Sequence, residues 1–368
     1  MRKTNTIVSV VCFSATIAVA SLGCGKKAGE DSTRDKGPDT AKPVEPAKPE
    51  AVKLPDAPPL PDLPVGLPPT PEPENNKATA EKVALGELLF FDKRLSDSSA
   101  TGCEICHMGD KGWADGLALS KKYDGSMNTR HSPTLVNVGY YREWYWDGRK
   151  ATLEDQILAA WTGQVGGTPD KVAAKLAEIP AYKEHFQRAF GAPPSKENIP
   201  QALAAFVRIK LRSGGSPWDR FQAGEKDAVS QDAIAGYDIF VQKAQCAACH
   251  TPPLYTDLGY HNVGIGYKDN DKPDVGRFQE TKLEANTGAF KTPTLRDTVA
   301  SAPYFHDGSV ATLEEAVDFM LKGGYSKGNK HLDPLLKPVK LKKEERDRLI
   351  AFIKSLTPDQ NYTRPTLP

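Results

Sequence analysis

Three stretches of the chain place apolar residues on one face of a helix. They read ATAEKVALGELLFF, SQDAIAGYDIFVQ and KKEERDRLIAFIKSL, and the last of them puts Leu349, Ile350, Ile353 and Leu356 on the same side. No segment alternates apolar and polar residues at period two, which is the pattern of a half-buried strand. The sequence therefore predicts a mostly α fold.

The apolar run at the N-terminus has a different meaning. Residues 1–24 begin with Arg2 and Lys3, continue with an apolar run and end in small residues. This pattern is typical of an export signal and is too short for a membrane span. Residues 18–20, Ala-Val-Ala, offer an ordinary cleavage site. Cleavage before Cys24 would instead leave a lipidated N-terminus, and we favour this interpretation, a periplasmic lipoprotein whose only membrane contact is its lipid.

A polar, Pro-rich tract follows over residues 25–78. It has too little apolar content to fold alone, so we expect a disordered tether. The chain has 368 residues, more than one typical domain, which indicates two domains over residues 79–222 and 223–368. A net charge of +1 gives no electrostatic footprint for nucleic acid, and we expect no nucleic-acid partner.

Two Cys-x-x-Cys-His units carry the chemistry. They hold every cysteine apart from Cys12 in the signal and Cys24 at its end. The pattern is the attachment signature of haem c, in which two thioethers hold the porphyrin and the histidine binds iron. A zinc site would need four convergent ligands and a redox dithiol would need a βαβ setting. We therefore predict two covalent haems, bound by Cys103, Cys106, His107, Cys246, Cys249 and His250, with the two histidines as proximal ligands.

An internal repeat follows each unit. SPTLVNVGYYREWYWDGRKATLEDQI, from Ser132, aligns without a gap with TPTLRDTVASAPYFHDGSVATLEEAV, from Thr292. Such self-similarity indicates a duplicated unit. We expect Thr152 and Thr312 to cap the helix that ends each repeat. The sequence therefore predicts two tandem c-type cytochrome domains related by internal duplication.

The copies differ at the position of a sixth iron ligand. Met320 lies on the second capped helix, and the matching residue of the first copy is Ala160. A methionine thioether is a common sixth ligand of haem c, and a core methionine is the alternative. We expect Met320 to bind the second iron, with His261 or His306 as alternatives. The first iron would then be open to a small oxidant.

Trp146 differs from its repeat partner, His306, as well. It belongs to an unusually aromatic stretch between the haem-binding parts of the two halves. An indole between two redox centres can relay an electron, although a large indole is more often part of a core. From the residues alone, both interpretations of Trp146 stay open.

The chain resembles the bacterial di-haem cytochrome c peroxidases and their relative MauG from about Ala84 to Leu356. The motifs that carry the resemblance are, in order, LFFDKRLS, CEICH, RHSPTLVN, YWDGRKATLEDQ, CAACHTPPLYTDLGYHNVGIG, GAFKTPTLRD and SAPYFHDGSVATLEEAVDFM. The resemblance implies that the first haem is peroxidatic and that the second receives electrons. It implies Met320 as the second iron's ligand, Trp146 between the haems and Gln156 in the distal pocket.

The distal pocket departs from the family pattern at two places. The loop ADGLALSKKYDGSMNTR has no histidine where the peroxidases carry a distal one, so we expect the first haem to be open from the start. The family's catalytic glutamate falls on Gly166. A distal acid–base group typically contributes about 10²–10⁴-fold in rate. We therefore name Trp146, Gln156 and Gln164 as candidate catalytic residues, with the two glutamines positioning a water.

The family also binds a calcium ion between its domains through an Asn side chain and two backbone carbonyls. Here the Asn is replaced by His131, and Ser301 and Pro303 hold the carbonyl positions, so these three residues are the candidate calcium site. Family members are often dimers, and a homodimer is the assembly that the resemblance implies.

Three functions are compatible with these residues. The first is a periplasmic peroxidase that reduces hydrogen peroxide to water with electrons from a small cytochrome c or cupredoxin. The second is a MauG-like oxidase that takes electrons from a protein substrate, against which Met320 argues, because MauG has a tyrosine at this position. The third is a non-catalytic di-haem electron carrier, which the absence of the glutamate favours. The peroxidase is the function that we expect.

Overall fold

Helices carry most of the regular structure. The computed structural model describes residues 53–266, 272–359 and 362–368, and these parts contain ten α-helices. They are α1 Ala80–Phe91, α2 Leu153–Ala160, α3 Pro169–Ala177, α4 Pro180–Phe190, α5 Asn198–Lys210, α6 Pro217–Gln222, α7 Gln231–Asp238, α8 Phe278–Thr281, α9 Leu313–Leu321 and α10 Lys343–Lys354. The prediction of a mostly α fold is confirmed. None of the described helices is long and apolar enough to cross a membrane.

Strands are short in the described residues. β1 Tyr260–His261 pairs antiparallel with β2 Phe290–Lys291. Two π-helical turns continue helices, Trp161–Val165 after α2 and Ile239–Lys243 after α7. The remaining connections are loops with 3₁₀ turns, among them Cys103–Ile105 and Cys246–Ala248 in the two haem-attachment units.

The first hydrophobic core forms where α1 crosses α5. Leu85 and Leu89 of α1 and Phe206 of α5 are fully buried there. Gly86 makes the crossing close, because a Cβ at this position would lie 2.0 Å from the carbonyl oxygen of Ala202 on α5. The missing side chain therefore lets the two helix backbones meet.

The second hydrophobic core repeats this arrangement with α7 and α10. Phe352 and Leu349 of α10 are buried against Phe240, which follows α7. A Cβ at Gly236 of α7 would lie 2.0 Å from the carbonyl oxygen of Arg348. Each half is therefore built on one close helix pair held by a glycine.

The helix caps that the sequence predicts are confirmed. The Thr152 hydroxyl accepts a hydrogen bond from the Asp155 N–H at 3.0 Å and begins α2. Thr312 and Glu315 form a full capping box at the start of α9. Both caps satisfy backbone donors that the first helical turn leaves free.

Matching backbone conformations surround the two capped helices. Asn137 and Asp297 both have a φ of 59°, and Tyr145 and Phe305 both have a φ of 68°. These left-handed values are uncommon for residues with a side chain. The loops that precede α2 and α9 therefore follow the same path at matching positions of the repeat.

Residues 53–78 differ from the disordered tether predicted over 25–78. Arg212 donates to the Pro61 carbonyl at 2.9 Å, and the buried Asn76 amide donates to Glu154 at 2.7 Å. The prolines hold this stretch extended, and side chains of the folded part satisfy its free carbonyl groups. The prediction is corrected for 53–78. The signal peptide 1–24, with Cys24, and the tether up to residue 52 lie outside the described residues.

Two segments cross the boundary predicted between residues 222 and 223. Trp218 of α6 lies in the second core, with its ring 4.9 Å from that of Phe352. The C-terminal segment 362–368 returns to the first core, where the Tyr362 ring lies 4.8 Å from that of Trp113. Residues 51–368 form one compact unit, so the halves interlock rather than meet at a single linker.

Candidate active site at the first Cys-x-x-Cys-His unit

The first attachment unit is a tight turn with its thiols free. Cys103–Ile105 form a 3₁₀ turn, and the carbonyl oxygen of Cys103 accepts from the N–H groups of Cys106 and His107. Neither cysteine is in a disulfide. Burial raises the pKa of the Cys103 thiol to about 12 and that of Cys106 to about 11. Two buried, unpaired thiols beside a histidine are the groups that covalent attachment of haem c uses.

The His107 imidazole is held by one backbone hydrogen bond. Its Nδ1 lies 2.9 Å from the Trp113 carbonyl oxygen, and Trp113 presents this oxygen from a backbone with a φ of 60°. Burial lowers the pKa of His107 and keeps the ring neutral. Nδ1 then carries the proton and donates, which leaves the Nε2 lone pair as the metal-binding atom.

The second unit repeats this arrangement. The Nδ1 of His250 lies 3.1 Å from the carbonyl oxygen of Tyr255, whose φ is 54°. Burial lowers the pKa of His250 as well. Cys246 and Cys249 are free thiols, and burial raises the pKa of Cys246 to about 12. Both units therefore present a neutral imidazole beside two unpaired cysteines.

A cavity of about 450 Å³ opens beside the first unit. Cys103, Cys106 and His107 line it, together with all three candidate catalytic residues, Trp146, Gln156 and Gln164. Ala160, the repeat partner of Met320, lines it too. The structure thus brings together residues that are up to 61 positions apart, as far as from Cys103 to Gln164. Cys246, Cys249, His250 and Met320 are not among the described residues around this cavity.

Gln164, which lines the cavity, has one polar side-chain atom without a partner. Its Oε1 is buried and has no hydrogen-bond partner among the described residues. The side chain sits on the π-helical turn after α2, and its backbone carbonyl accepts from the N–H of Tyr123 at 2.9 Å. A buried acceptor without a partner is costly unless a ligand or water satisfies it. A water molecule or a bound polar group would satisfy this atom.

Gly166 cannot be replaced there by a larger residue without rearrangement. Its φ of 79° is left-handed, and a Cβ would lie 2.2 Å from the Tyr123 ring. Tyr123 belongs to the loop in which the peroxidases carry a histidine. The space where a carboxylate side chain would begin at Gly166 is therefore filled by an aromatic ring.

Trp146 is fixed at the edge of the cavity by two hydrogen bonds. Its indole N–H donates to the His131 carbonyl at 2.9 Å, and its own carbonyl accepts from the Lys291 N–H at 2.8 Å. Lys291 lies on β2 in the second half. The ring therefore sits where backbone from both halves meets, which agrees with a position between the two haem-binding parts.

The candidate calcium residues meet along the same cavity. His131, Ser301 and Pro303 all line it. The buried His131 ring holds the Leu117 carbonyl oxygen with Nδ1 at 2.8 Å and offers no oxygen ligand. Calcium prefers oxygen ligands, so His131 does not substitute for an Asn side chain. The backbone carbonyls of Ser301 and Pro303 are the oxygen donors that this set supplies.

Two lining residues were missed at the sequence level. The side chain of Tyr145 is half-buried, with the Arg149 guanidinium carbon 3.4 Å from its ring centroid. Lys291 is buried, donates to the Tyr260 hydroxyl at 2.7 Å, and has its pKa lowered to about 8 by burial. The alignment of the two repeats could have indicated both residues, because Tyr145 aligns with Phe305 and Lys291 aligns with His131.

Met320 stays the predicted ligand of the second iron. It lies half-buried on the last turn of α9, whose Leu313 and Val317 share the second core with Cys246. The His261 ring is engaged at both nitrogens, at 2.8 Å by Asp257 and at 2.6 Å by Asp333, which argues against His261 as a ligand.

The residues of both sites fit covalent haem c. Cys103 and Cys106 would hold the first haem and His107 its iron, and Cys246, Cys249 and His250 would hold the second. Paired free cysteines, an oriented neutral imidazole and, at the first unit, an adjoining cavity are what this group requires. The bound haem supplies the redox chemistry, and the chain supplies orientation, polarity and access.

Comparisons with known proteins agree with this chemistry. Residues 80–227 match the family model of the di-haem cytochrome c peroxidases. Cytochrome-c peroxidase IdrP1 of Denitromonas iodatirespirans is 37% identical, over 80% of this chain and 86% of the relative. Methylamine utilization protein MauG of Methylorubrum extorquens is 36% identical, over 81% and 84%.

Solved structures give the same result. The crystal structure of a MauG-like protein associated with microbial copper homeostasis superposes with a TM-score of 0.75 at 30% identity, covering 81% of this chain and 95% of that one. This chain belongs to the di-haem cytochrome c peroxidase family, which includes MauG.

Proposed function

We propose that this chain is a periplasmic di-haem peroxidase that reduces hydrogen peroxide to water at the first site. The observation that carries the proposal is the cavity beside His107, which Gln156 and Gln164 both line. Ala160 stands where the second copy has Met320, so the chain offers no thioether on this side of the first site. A small oxidant therefore has both space and polar contacts there.

The chain's own residues divide the work. The Trp113 carbonyl orients His107, and Gln156 and Gln164 hold peroxide or a water molecule by hydrogen bonds on the side of α2. Trp146 relays electrons from the second site, where His250 and Met320 are the proposed ligands of a haem attached to Cys246 and Cys249. Each peroxide takes up two electrons and two protons and yields two water molecules.

The two sites are proposed to descend from one duplicated cytochrome unit. The matching caps, the matching φ angles and the two glycine-held helix pairs support this origin. Divergence of one copy explains the difference between a site that receives electrons and a site that binds oxidant. The electron donor of the proposal is a small cytochrome c or cupredoxin.

The location and assembly form part of the same proposal. Export through residues 1–24, a lipid on Cys24 and a homodimer are expected from the sequence and the resemblance. A calcium ion on the Ser301 and Pro303 carbonyls would tie the second half to the first cavity, without a side-chain ligand from His131.

Steady-state turnover tests the proposal. The haem-loaded protein is mixed with hydrogen peroxide and a reduced small cytochrome c, and donor oxidation is followed by absorbance. We expect saturable, peroxide-dependent oxidation of two donor molecules per peroxide, and a slower rate in Gln156→Leu. Protein that reacts with peroxide neither as isolated nor after one-electron reduction would contradict the proposal and leave a di-haem electron carrier.

A MauG-like oxidase of a protein substrate is the second candidate. The observation in its favour is the similarity to a MauG-like protein at a TM-score of 0.75 and 30% identity. This activity would react with peroxide but would draw electrons from a protein side chain. In the turnover experiment it would consume peroxide without oxidising the cytochrome, which separates it from the peroxidase.

A further inference from the structure

Tyr145 adopts a backbone conformation that tyrosine rarely takes. Its φ is 68°, and the loop is held by the Trp144 N–H, which donates to Lys150 at 2.8 Å. A residue of this size in a left-handed conformation persists only where its surroundings fix it. Phe305 repeats the conformation, with its ring 5.2 Å from that of Phe319 on α9. Both repeats therefore have an aromatic ring at this position, and the ring of the first repeat, Tyr145, also carries a hydroxyl group.

The hydroxyl of Tyr145 has side-chain rather than backbone neighbours. It interacts with the side chains of Gln156 and Arg149, and the guanidinium of Arg149 stacks on its ring at 3.4 Å. Burial raises the pKa of Tyr145 more than these two neighbours lower it. The phenol carries its proton at neutral pH, as tyrosine ordinarily does, so its hydroxyl can act as a donor in the cavity.

The other tyrosines that line the cavity are occupied. The Tyr304 hydroxyl donates to the Thr298 carbonyl at 3.2 Å, and the Tyr141 hydroxyl hydrogen-bonds with the backbone of Thr294. Among the described residues around the cavity, Tyr145 is thus the tyrosine whose hydroxyl meets the distal glutamine.

Carboxylate groups are scarce at the cavity. Asp147 is the one acidic side chain among the described lining residues. Arg130 binds it at 2.5 Å and Arg149 at 2.9 Å, so both cations hold this carboxylate in ion pairs. Gly166 has no room for a side chain because of Tyr123. A proton for peroxide must therefore come from another group.

We propose that the Tyr145 hydroxyl is the distal proton donor of the first site, working beside Gln156. The proposal rests on the proposed peroxidase function. As the O–O bond of H₂O₂ breaks, the phenol gives its proton to the departing oxygen, which leaves as water. The two electrons come from the small redox protein through the second site. Tyrosinate takes back one proton from solvent, and a second solvent proton completes the other water molecule.

The test compares wild type with Tyr145→Phe, because Phe305 shows that phenylalanine fits this backbone. Tyr237→Phe is the matched control, since it removes a hydroxyl beside Trp218 in the second core. The first measurement is the second-order rate constant of the haem-loaded ferric protein with hydrogen peroxide. We expect about a hundredfold loss in Tyr145→Phe and none in Tyr237→Phe.

The second measurement is fluoride affinity, by absorbance titration of the same proteins. Fluoride accepts a hydrogen bond from a distal donor but is not reduced, so its affinity reports the donor without turnover. Loss of one hydrogen bond to an anion is expected to weaken fluoride binding about tenfold or more in Tyr145→Phe.

The outcomes separate this proposal from the function on which it rests. Wild-type protein that reacts with peroxide while Tyr145→Phe keeps both its peroxide rate and its fluoride affinity would overturn the role of Tyr145 alone. Wild-type protein that is inert to both ligands would overturn the peroxidase function and this role together. Loss of both properties in Tyr145→Phe, with Tyr237→Phe unchanged, supports both.

Discussion

At the scale of single residues, a hydrogen bond to a backbone carbonyl oxygen orients the imidazole of each Cys-x-x-Cys-His unit. Trp113 and Tyr255, both in left-handed conformations, present the oxygens that hold His107 and His250. This contact fixes the ring tautomer before any haem is bound. The two sites are alike in this contact. We therefore expect the difference between them to come from the predicted sixth-ligand position, where one copy has Ala160 and the other Met320.

Met320→Ala tests that difference. We expect the potential of the second haem to fall, because a thioether ligand raises it within the range of about 0.8 V that axial ligands control. A spectroelectrochemical titration measures the change. Met127→Ala is the matched control, since Met127 is 46% exposed on a loop and should leave both potentials unchanged. An unaltered second potential in Met320→Ala would refute the ligand assignment.

Asp297 has a buried carboxyl group, whereas the matching residue of the first repeat, Asn137, has an amide. Burial raises the pKa of Asp297 to about 6, above its ordinary value of 3.8. The folded state therefore binds the proton more tightly than the unfolded state, and stability falls as pH rises from about 4 to 6. At the matching position, Asn137 donates to the Ser213 carbonyl at 3.1 Å from the same left-handed backbone.

Asp297→Asn should therefore stabilise the protein at neutral pH. We expect a gain of about 2–3 kcal/mol in the free energy of unfolding at pH 7.5, from a pKa difference of about two units. The gain should shrink toward zero as pH approaches 4. Urea unfolding at both pH values measures it, and an equal effect at the two would contradict the assigned cause.

The repeat and the sequence motifs made it possible to predict some of the site residues. Gln156, Gln164 and Trp146 were placed by alignment, and the cavity brings them together. Lys291 was missed because its burial depends on contacts between distant segments, and Tyr145 because its loop adopts a left-handed backbone conformation that residue type does not predict. Neither leaves a periodic pattern in the sequence.

At the scale of elements, two close helix crossings organise the halves. Gly86 on α1 meets α5, and Gly236 on α7 meets α10. The apolar periodicity of the sequence predicted α1, α7 and α10. The periodicity could not predict the two crossings, because it does not show which other helix packs against the glycine.

Gly86→Ala should break the first crossing. The new Cβ would lie 2.0 Å from the Ala202 carbonyl, and backbone cannot yield as a side chain can, so we expect a loss of about 2 kcal/mol or more. Gly163→Ala is the control for stability, since its Cβ would meet nothing within 4 Å. Thermal unfolding compares the two. Equal midpoints for both variants would show that α1 and α5 do not meet closely.

Residues 53–78 are ordered although their composition predicts disorder. Their proline content predicts disorder, yet Arg212, Arg296 and Arg188 donate to five carbonyl groups of residues 54–66. Extended segments without their own hydrogen bonds can be ordered when a folded surface supplies the donors. Those donors lie more than 130 positions away along the chain.

At the scale of the whole molecule, ion pairs, hydrogen bonds and ring contacts join the two halves. Arg296 of the second half forms a bidentate pair with Asp219, at 2.7 and 2.8 Å, and donates to the Gly66 carbonyl of the N-terminal segment. Tyr362 of the C-terminal segment stacks on Phe91 and hydrogen-bonds Glu87, both on α1. Such interlocking keeps two redox sites at a fixed separation.

Tyr362→Ala tests the C-terminal contact. Loss of a ring packed between Phe91 and Trp113 should cost about 2 kcal/mol or more, whereas Tyr362→Phe should cost about 1 kcal/mol for the hydroxyl. Chemical denaturation gives both values. Because Trp113 carries the carbonyl that holds His107, we also expect a changed absorbance of the first haem in the alanine variant alone. An alanine variant as stable as wild type would contradict the contact.

We expect one molecule to contain an open first site and a closed second site. Low-temperature spin resonance of the ferric, haem-loaded protein, before and after peroxide, tests it most directly. We expect one high-spin signal from the first haem beside one low-spin signal from the second, and loss of the high-spin signal within seconds of adding peroxide. Two low-spin signals that peroxide leaves unchanged would contradict the account.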